Sequence, residues 1–250
     1  MKPDLSKAIL LAAGRGRRLG TLTAHTPKPL ITVAGVSILG RIIGSLASNG
    51  VSHFGVVTGY LGEQVAQACG EIERRAGLRI ETFRQQVLDG TGGAILTAQG
   101  FIAGAERFVL GWGDVLMDPP SYASLIASST DSGADLIMSV NRVDDPYAGA
   151  AVYVDAKWRV TRLIEKPPRG SSATGWNNAG LFVARPILFD SVRRLTPSER
   201  GEIELPGAIA AMIEGGCQVR AVAVEGFWSD VGTAEALERA RDHFGGRNRT

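Results

Sequence analysis

Residues 8–13 form an unbroken apolar run that stops abruptly at Gly14. A run without alternation fits a strand buried on both faces. Further on, Ile38, Leu39, Ile42, Ile43 and Leu46 fall at helical spacing and Asn49-Gly50 stops them, which predicts a helix over 38–47. The alternation continues with strands over 54–58, 78–83, 107–110 and 134–140, and helices over 63–75, 92–99 and 122–128. Strands alternating with helices predict an α/β fold, with a mostly parallel sheet covered on both faces. After Asn141 the rhythm changes. Residues 150–154 and 160–164 read as a short antiparallel pair, 167–175 as a Pro/Gly/Ser-rich loop, and 176–183 as a strand. Helices over 187–195, 203–214 and 233–242, with a strand over 218–224, complete the chain. The pattern shows no internal repeat.

Composition narrows the class. With 250 residues, 44% hydrophobic and 21% charged, the chain is long enough for one large α/β domain with a sizeable core. We expect a single domain over about 1–245, with residues 246–250 a basic tail. A net charge of +2 gives no reason to invoke nucleic acid or an anionic membrane. Cys69 and Cys217 are far apart, and His25, His53 and His243 are isolated, so neither type shows metal-ligand spacing. The N-terminus lacks a secretory pattern, and its first apolar run is too short to span a bilayer. These features lead us to expect a soluble, cytoplasmic protein.

The basic residues that matter are concentrated between the first strand and the Pro27-Lys28-Pro29 segment, where Arg15, Arg17 and Arg18 alternate with Gly14 and Gly16. Glycines let backbone approach phosphate oxygens, and successive amides in a tight turn form an anion-binding nest. A nucleoside triphosphate is the expected guest. The dinucleotide fingerprint fails here, because Gly20 comes one position late, and no Gly-Lys pair exists to make an ATPase phosphate loop.

The run from Leu11 to Leu19, followed by Pro27-Lys28-Pro29, resembles the signature of the sugar-1-phosphate nucleotidyltransferases. Gly14, Gly16, Arg18, Leu19 and Lys28 fall on that pattern in order. The likeness continues to about Leu237. It implies a Rossmann-like three-layer α/β/α fold of the nucleotide-diphospho-sugar transferase type. The nucleotide-binding part is expected over about 1–140 and the acceptor-binding part over about 141–245.

The same resemblance implies the site. Leu11, Ala12, Ala13, Gly14, Gly16, Arg18 and Lys28 would hold the nucleotide, with Gln85, Gly90 and Thr91 of a Gly-rich segment at the base. Gln85 carries both a donor and an acceptor, which suits a base edge. Asp114, in Gly111-Trp112-Gly113-Asp114, and Asp230, in Trp228-Ser229-Asp230-Val231-Gly232-Thr233, would ligate Mg2+. Trp112 stands where many relatives carry a small or amide residue. Thr233 would cap the last helix. Glu165, Lys166, Asn178 and Gly180 would bind the acceptor, Lys166 through its phosphate. The expected catalytic set is Arg18, Lys28, Asp114, Lys166 and Asp230.

The implied reaction transfers a nucleoside monophosphate from a nucleoside triphosphate to a sugar-1-phosphate. The segment from Arg200 to Leu205 leans toward thymidylyl-type relatives, and a pyrimidine base is favoured. A cytidylyltransferase acting on a polyol or choline phosphate shares most of these motifs. A non-catalytic nucleotide-sensing subunit of the same fold is the alternative from another class. The presence of Lys28, Asp114 and Asp230 together opposes it. By analogy with relatives, a homo-oligomer is possible.

Overall fold

The structure is a computed structural model that describes residues 5–130, 133–198 and 201–246. In chain order its elements are β1 (Lys7–Ala12), β2 (Thr32–Val33), β3 (Val36–Ser37), α1 (Ile38–Ala47), β4 (His53–Thr58), α2 (Gly62–Ala76) and β5 (Arg79–Arg84). Then come α3 (Thr91–Thr97), β6 (Phe108–Trp112), β7 (Val115–Met117), α4 (Pro119–Ser128), β8 (Leu136–Arg142), β9 (Ala150–Val154) and β10 (Val160–Glu165). The chain closes with β11 (Trp176–Ala184), α5 (Ile187–Arg193), α6 (Leu205–Glu214), β12 (Val219–Ala223), β13 (Trp228–Asp230) and α7 (Ala234–Gly246). Arg200 and the tail over 247–250 lie outside the described residues.

One nine-stranded sheet runs β10-β9-β11-β6-β1-β4-β5, with β8 beside β11 and β12 beside β8. β1 is parallel to β4 and β6, β4 to β5, and β8 to β12, while β11 runs antiparallel to β6, β8 and β9, and β10 to β9. Only β10 and β11 therefore point against the common direction. Strands from both halves of the chain share this sheet.

β1 shows why its run is wholly apolar. Ala8, Leu10 and Ala12 pack into one core layer, with Ile42 of α1, Leu125 of α4 and Leu237 of α7. Ile9, Leu11 and Ala13 pack into the other, with Ile95 of α3, Phe189 of α5 and Ile209 of α6. A strand covered on both faces has no position for a polar side chain. α1 starts where Ser37 accepts a hydrogen bond from the Gly40 amide at 3.1 Å, and it buries the five apolar residues expected from its spacing. Each such burial contributes about 1.5–3 kcal/mol.

Two strand pairings were not foreseen from the sequence. β7 and β13 form a separate antiparallel ribbon of three rungs, Met117 with Trp228, Leu116 with Ser229, and Val115 with Asp230. β2 and β3 form a small hairpin ahead of α1. No helix among the described residues is long and apolar enough to cross a membrane. Cys69 is buried and Cys217 half-buried, and both are free thiols. Burial, helped by Glu73, pushes the Cys69 thiol up to about 12.

Candidate active site

A cleft of about 900 Å³ opens where β1 and β6 end, the edge at which ligands of open α/β sheets collect. The loop after β1 forms one wall. Gly16 adopts φ +63°, and a Cβ there would sit 3.1 Å from both Lys28 Cβ and Thr23 Cγ2. A side chain at this position would meet both a left-handed backbone and the stem of Lys28. Thr23 Oγ1 donates to the carbonyls of Gly16 at 3.1 Å and Gly20 at 3.2 Å, which ties the loop to itself. Lys28 opens a 3₁₀ turn, closed by the Leu30 amide donating to the Pro27 carbonyl at 2.8 Å.

That turn aims the Lys28 side chain under the loop. Its Nζ donates to Asp114 Oδ2 at 2.8 Å and to Asp230 Oδ1 at 2.9 Å. The Lys28 side chain is 5% exposed, whereas both acids are 37% exposed. Arg18 Nη2 reaches the other Asp230 oxygen at 3.0 Å from a much more open position. Burial works to lower the Lys28 pKa, but the charges and hydrogen bonds of Asp114 and Asp230 outweigh it and hold the ammonium above the ordinary lysine value. Burial likewise works to raise the Asp230 carboxyl, and Lys28 and then Arg18 reverse it, leaving it below the usual carboxylate range.

Both acids owe their position to local pairing. The Gly113 amide donates to the Leu11 carbonyl at 2.8 Å, so Asp114 continues directly from the β1–β6 contact. Asp230 ends β13 opposite Val115, and the Val231 amide donates to the Asp114 carbonyl at 3.1 Å. Thr233 caps α7, its hydroxyl accepting from the Ala236 amide at 3.2 Å.

The far wall carries the Gly-rich segment that includes Gln85, Gly90 and Thr91. The buried Gln85 spends its amide donor inside the protein, on Asp89 Oδ1 at 2.8 Å and the Gly90 carbonyl at 3.1 Å. It therefore shapes the turn and lines the cleft at once. The Gly92 amide donates to the Ile203 carbonyl at 2.7 Å, and Thr91 Oγ1 accepts from the Leu205 amide at 2.8 Å. These bonds bring Glu202 and Glu204 to the cleft wall.

Lys166 has φ +42°, and its amide donates to the Gly149 carbonyl at 2.7 Å. Its ammonium lies 3.6 Å from Glu165 and 3.8 Å from Glu204. Asn178 is 2% exposed; its Oδ1 accepts from the Gly180 amide at 3.0 Å, and its Nδ2 has no hydrogen-bond partner among the described residues. β11 breaks register between Asn178 and Phe182, where Gly180 takes φ +84°. Such a bulge re-aims the side chains beside it.

The cleft walls include Leu11, Ala13, Gly14, Gly16, Arg18, Gln85, Gly90, Thr91, Asp114, Glu165, Lys166, Asn178 and Asp230. Ala12 and Lys28 line a recess of about 250 Å³ that shares Gly14, Gly16, Arg18 and Asp114 with it. Gly180 lines neither. It lies against the Trp112 indole, where a Cβ would come within 2.1 Å of Cε3. Its place is thus behind the wall that Trp112 forms. Asp145 and Trp228 also line the cleft, and sequence reasoning missed both. Asp145 had one readable signal, its position before Pro146, where it caps a 3₁₀ turn by accepting from the Tyr147 amide. Among the described residues, no group of three or more His, Cys, Asp or Glu side chains is placed to hold a metal ion. Asp114 and Asp230 are the two carboxylates that converge here, both on the Lys28 ammonium.

Residues 7–245 match the family described as nucleotidyl transferase. The chain is 33% identical over 239 residues to the bifunctional protein GlmU of Methanococcus maripaludis, covering 95% of this chain and 54% of that protein. It is 32% identical over 236 residues to the low-salt glycan biosynthesis nucleotidyltransferase Agl11 of Haloferax volcanii, covering 94% of this chain and 64% of that one. The chain thus spans about half the length of the GlmU relatives it matches, 54%. Its fold superimposes on a UDP-glucose pyrophosphorylase solved with UDP-glucose at a TM-score of 0.86, with 18% identity, covering 97% of this chain and 99% of that one. The architecture is the same Rossmann-like α/β fold as in that structure.

Proposed function

This chain belongs to the nucleotidyl transferase family, and from that premise we propose that it transfers a nucleoside monophosphate from a nucleoside triphosphate to a sugar-1-phosphate. The products are an NDP-sugar and pyrophosphate. The observation that carries the reading is the Lys28 ammonium held between Asp114 and Asp230 at the foot of the Gly/Arg loop.

In this reaction a phosphate oxygen of the acceptor attacks the α-phosphorus, the bond to the bridging oxygen breaks, and pyrophosphate leaves with the electron pair. The attacking oxygen is already anionic, so the chain needs no strong base. Its task is to bring two anions together in line. Arg18 and Lys28 neutralise the nucleotide phosphates, beside the amides of the loop from Gly14 to Gly16. Lys166 receives the acceptor's phosphate, and Glu165 and Asn178 meet its hydroxyls. Gln85 holds the turn whose Gly90 and Thr91 face the base, and a pyrimidine fits this reading.

The Asp114–Asp230 pair suits Mg2+. Two hard oxygen donors from separate segments already converge on one cation, the Lys28 ammonium. Mg2+ takes one or two carboxylates and completes its shell with phosphate oxygens and water. Asp114 and Asp230 would hold the ion, which when bound supplies charge neutralisation at the α-phosphorus.

We assign one catalytic domain to about 1–245, with nucleotide contacts before residue 140 and acceptor contacts after it, and place the protein in the cytoplasm. The testing experiment is a pyrophosphate-release screen of five nucleoside triphosphates against sugar-1-phosphates and polyol phosphates. Turnover with a sugar-1-phosphate supports the proposal. Turnover with CTP and a polyol phosphate alone replaces the acceptor, and triphosphate binding without any turnover overturns the catalytic reading.

A further inference from the structure

The two acids sit at one end of the β7–β13 ribbon, and the other end is fastened by side chains. The Asp118 amide donates to the Phe227 carbonyl at 3.0 Å, and the Phe227 amide donates back to Asp118 Oδ2 at 3.0 Å. Next to this, Ser121 Oγ donates to the Glu225 carbonyl at 2.9 Å and accepts from the Glu225 amide at 2.9 Å. The remaining Asp118 oxygen, Oδ1, faces His243 Nε2 at 2.7 Å. His243 belongs to α7, and its ring stacks on Phe227 with centroids 4.4 Å apart and planes 14° apart. One imidazole thus touches both residues that close the ribbon.

A three-rung ribbon is too short to hold its own register, and a two-stranded pair is marginal even when longer. A slip of one residue would turn Asp230 to the opposite face. We propose that His243, acting through Asp118, is a positioning residue for the Asp114–Asp230 pair, fixing the separation of the two carboxylates and with it their affinity for a divalent cation. The proposal rests on reading that pair as the metal site. His243 donates from Nε2 to Asp118 Oδ1, Asp118 locks Phe227, and β13 delivers Asp230 three residues later. Direct hydrogen-bond partners of metal ligands typically change affinity by about 10–100-fold when lost, and His243, which acts on Asp230 through Asp118 and Phe227, is expected at the lower end of that range.

The test compares wild type with His243→Phe, which keeps a ring against Phe227 but removes the hydrogen bond, and His243→Gln, whose amide can donate to Asp118 again. Mn2+ binding is titrated by electron paramagnetic resonance in the presence of α,β-methylene UTP. Amide exchange is followed across 115–118 and 227–231. For His243→Phe we expect Mn2+ binding weakened about tenfold and ribbon exchange accelerated, with protection of β1 and β4 unchanged, and for His243→Gln most of the loss restored. Wild-type and His243→Phe proteins that bind Mn2+ equally overturn the positioning role while leaving the metal reading intact. A wild-type protein that binds no Mn2+ overturns the metal reading and the positioning role with it. Faster exchange throughout β1 and β4 reduces His243 to a general stabiliser and also overturns the proposal.

Discussion

The Lys28 ammonium ties Asp114 to Asp230, at 2.8 and 2.9 Å, so a single buried cation joins acids from opposite halves of the chain. Lys28→Met removes that tie and, under the proposed function, a phosphate partner with it. Turnover should fall by about a hundredfold or more. The fold should survive, because each acid is 37% exposed and can be hydrated. Pyrophosphate release and circular dichroism check the two halves of this expectation. Near-normal release would remove Lys28 from the catalytic set.

The same triad makes stability depend on pH in two windows. Burial opposes but Lys28 and Arg18 dominate at Asp230, so its folded pKa lies below the unfolded one. Its contribution is present above the unfolded value, about 4, and is lost as pH falls through the folded value. Lys28 is the mirror case, with a raised pKa. Its contribution is present below the unfolded value, about 10.4, and is lost as pH rises through the folded one. Urea unfolding at several pH values between 5 and 3 should show wild type losing more stability than Lys28→Met. In the variant, protonation relieves repulsion between the two acids. Equal losses in both proteins would show that Lys28 is not what holds the Asp230 carboxyl down.

Lys166 stands apart from this triad, among Glu165 and Glu204. Lys166→Ala should raise KM for the sugar-1-phosphate about tenfold or more and leave KM for the nucleoside triphosphate within about twofold. Initial rates with each substrate varied in turn decide it. A rise confined to the nucleotide would move Lys166 to the other half of the cleft.

Gly180→Ala meets two obstacles, a φ of +84° and the Trp112 ring 2.1 Å from the new Cβ. We expect a loss of about 2–4 kcal/mol in the wild-type background. With Trp112→Ala the collision disappears and only backbone strain of about 1–2 kcal/mol remains. Denaturant unfolding of the four proteins gives the coupling directly. Additive losses would mean that the indole moves aside at no cost.

Much of the framework could be read from local pattern. α1 occupies the residues its periodicity predicts, because a five-residue apolar stripe and the Ser37 cap are both local signals. The β9–β10 pair was readable for the same reason, two short runs flanking a turn. The β7–β13 ribbon was not. Three residues carry no period, and their partners lie more than a hundred positions away, with no turn between them to announce the pairing. Among the site residues, Asp114 and Asp230 stood out by motif, but their common partner could not be foreseen, since nothing in a Pro-Lys-Pro segment says where the lysine points. Gln85 shows the opposite limit. An amide offers the same groups to a base edge or to a neighbouring turn, and only the fold reveals that its donor is engaged by Asp89 and Gly90. Gly180 was read as an acceptor contact because a glycine in a motif does not disclose which neighbour requires it to be small. Here that neighbour is Trp112.

The ribbon that ends on Asp230 also sets a timetable. A chain leaving the ribosome displays the Gly/Arg loop and the first acid early, but the second acid and the helix bearing His243 follow more than a hundred residues later. Chains that stop short of β13 therefore carry the cationic loop with only one of its two acids, and the centre is complete only once Asp230 is in place.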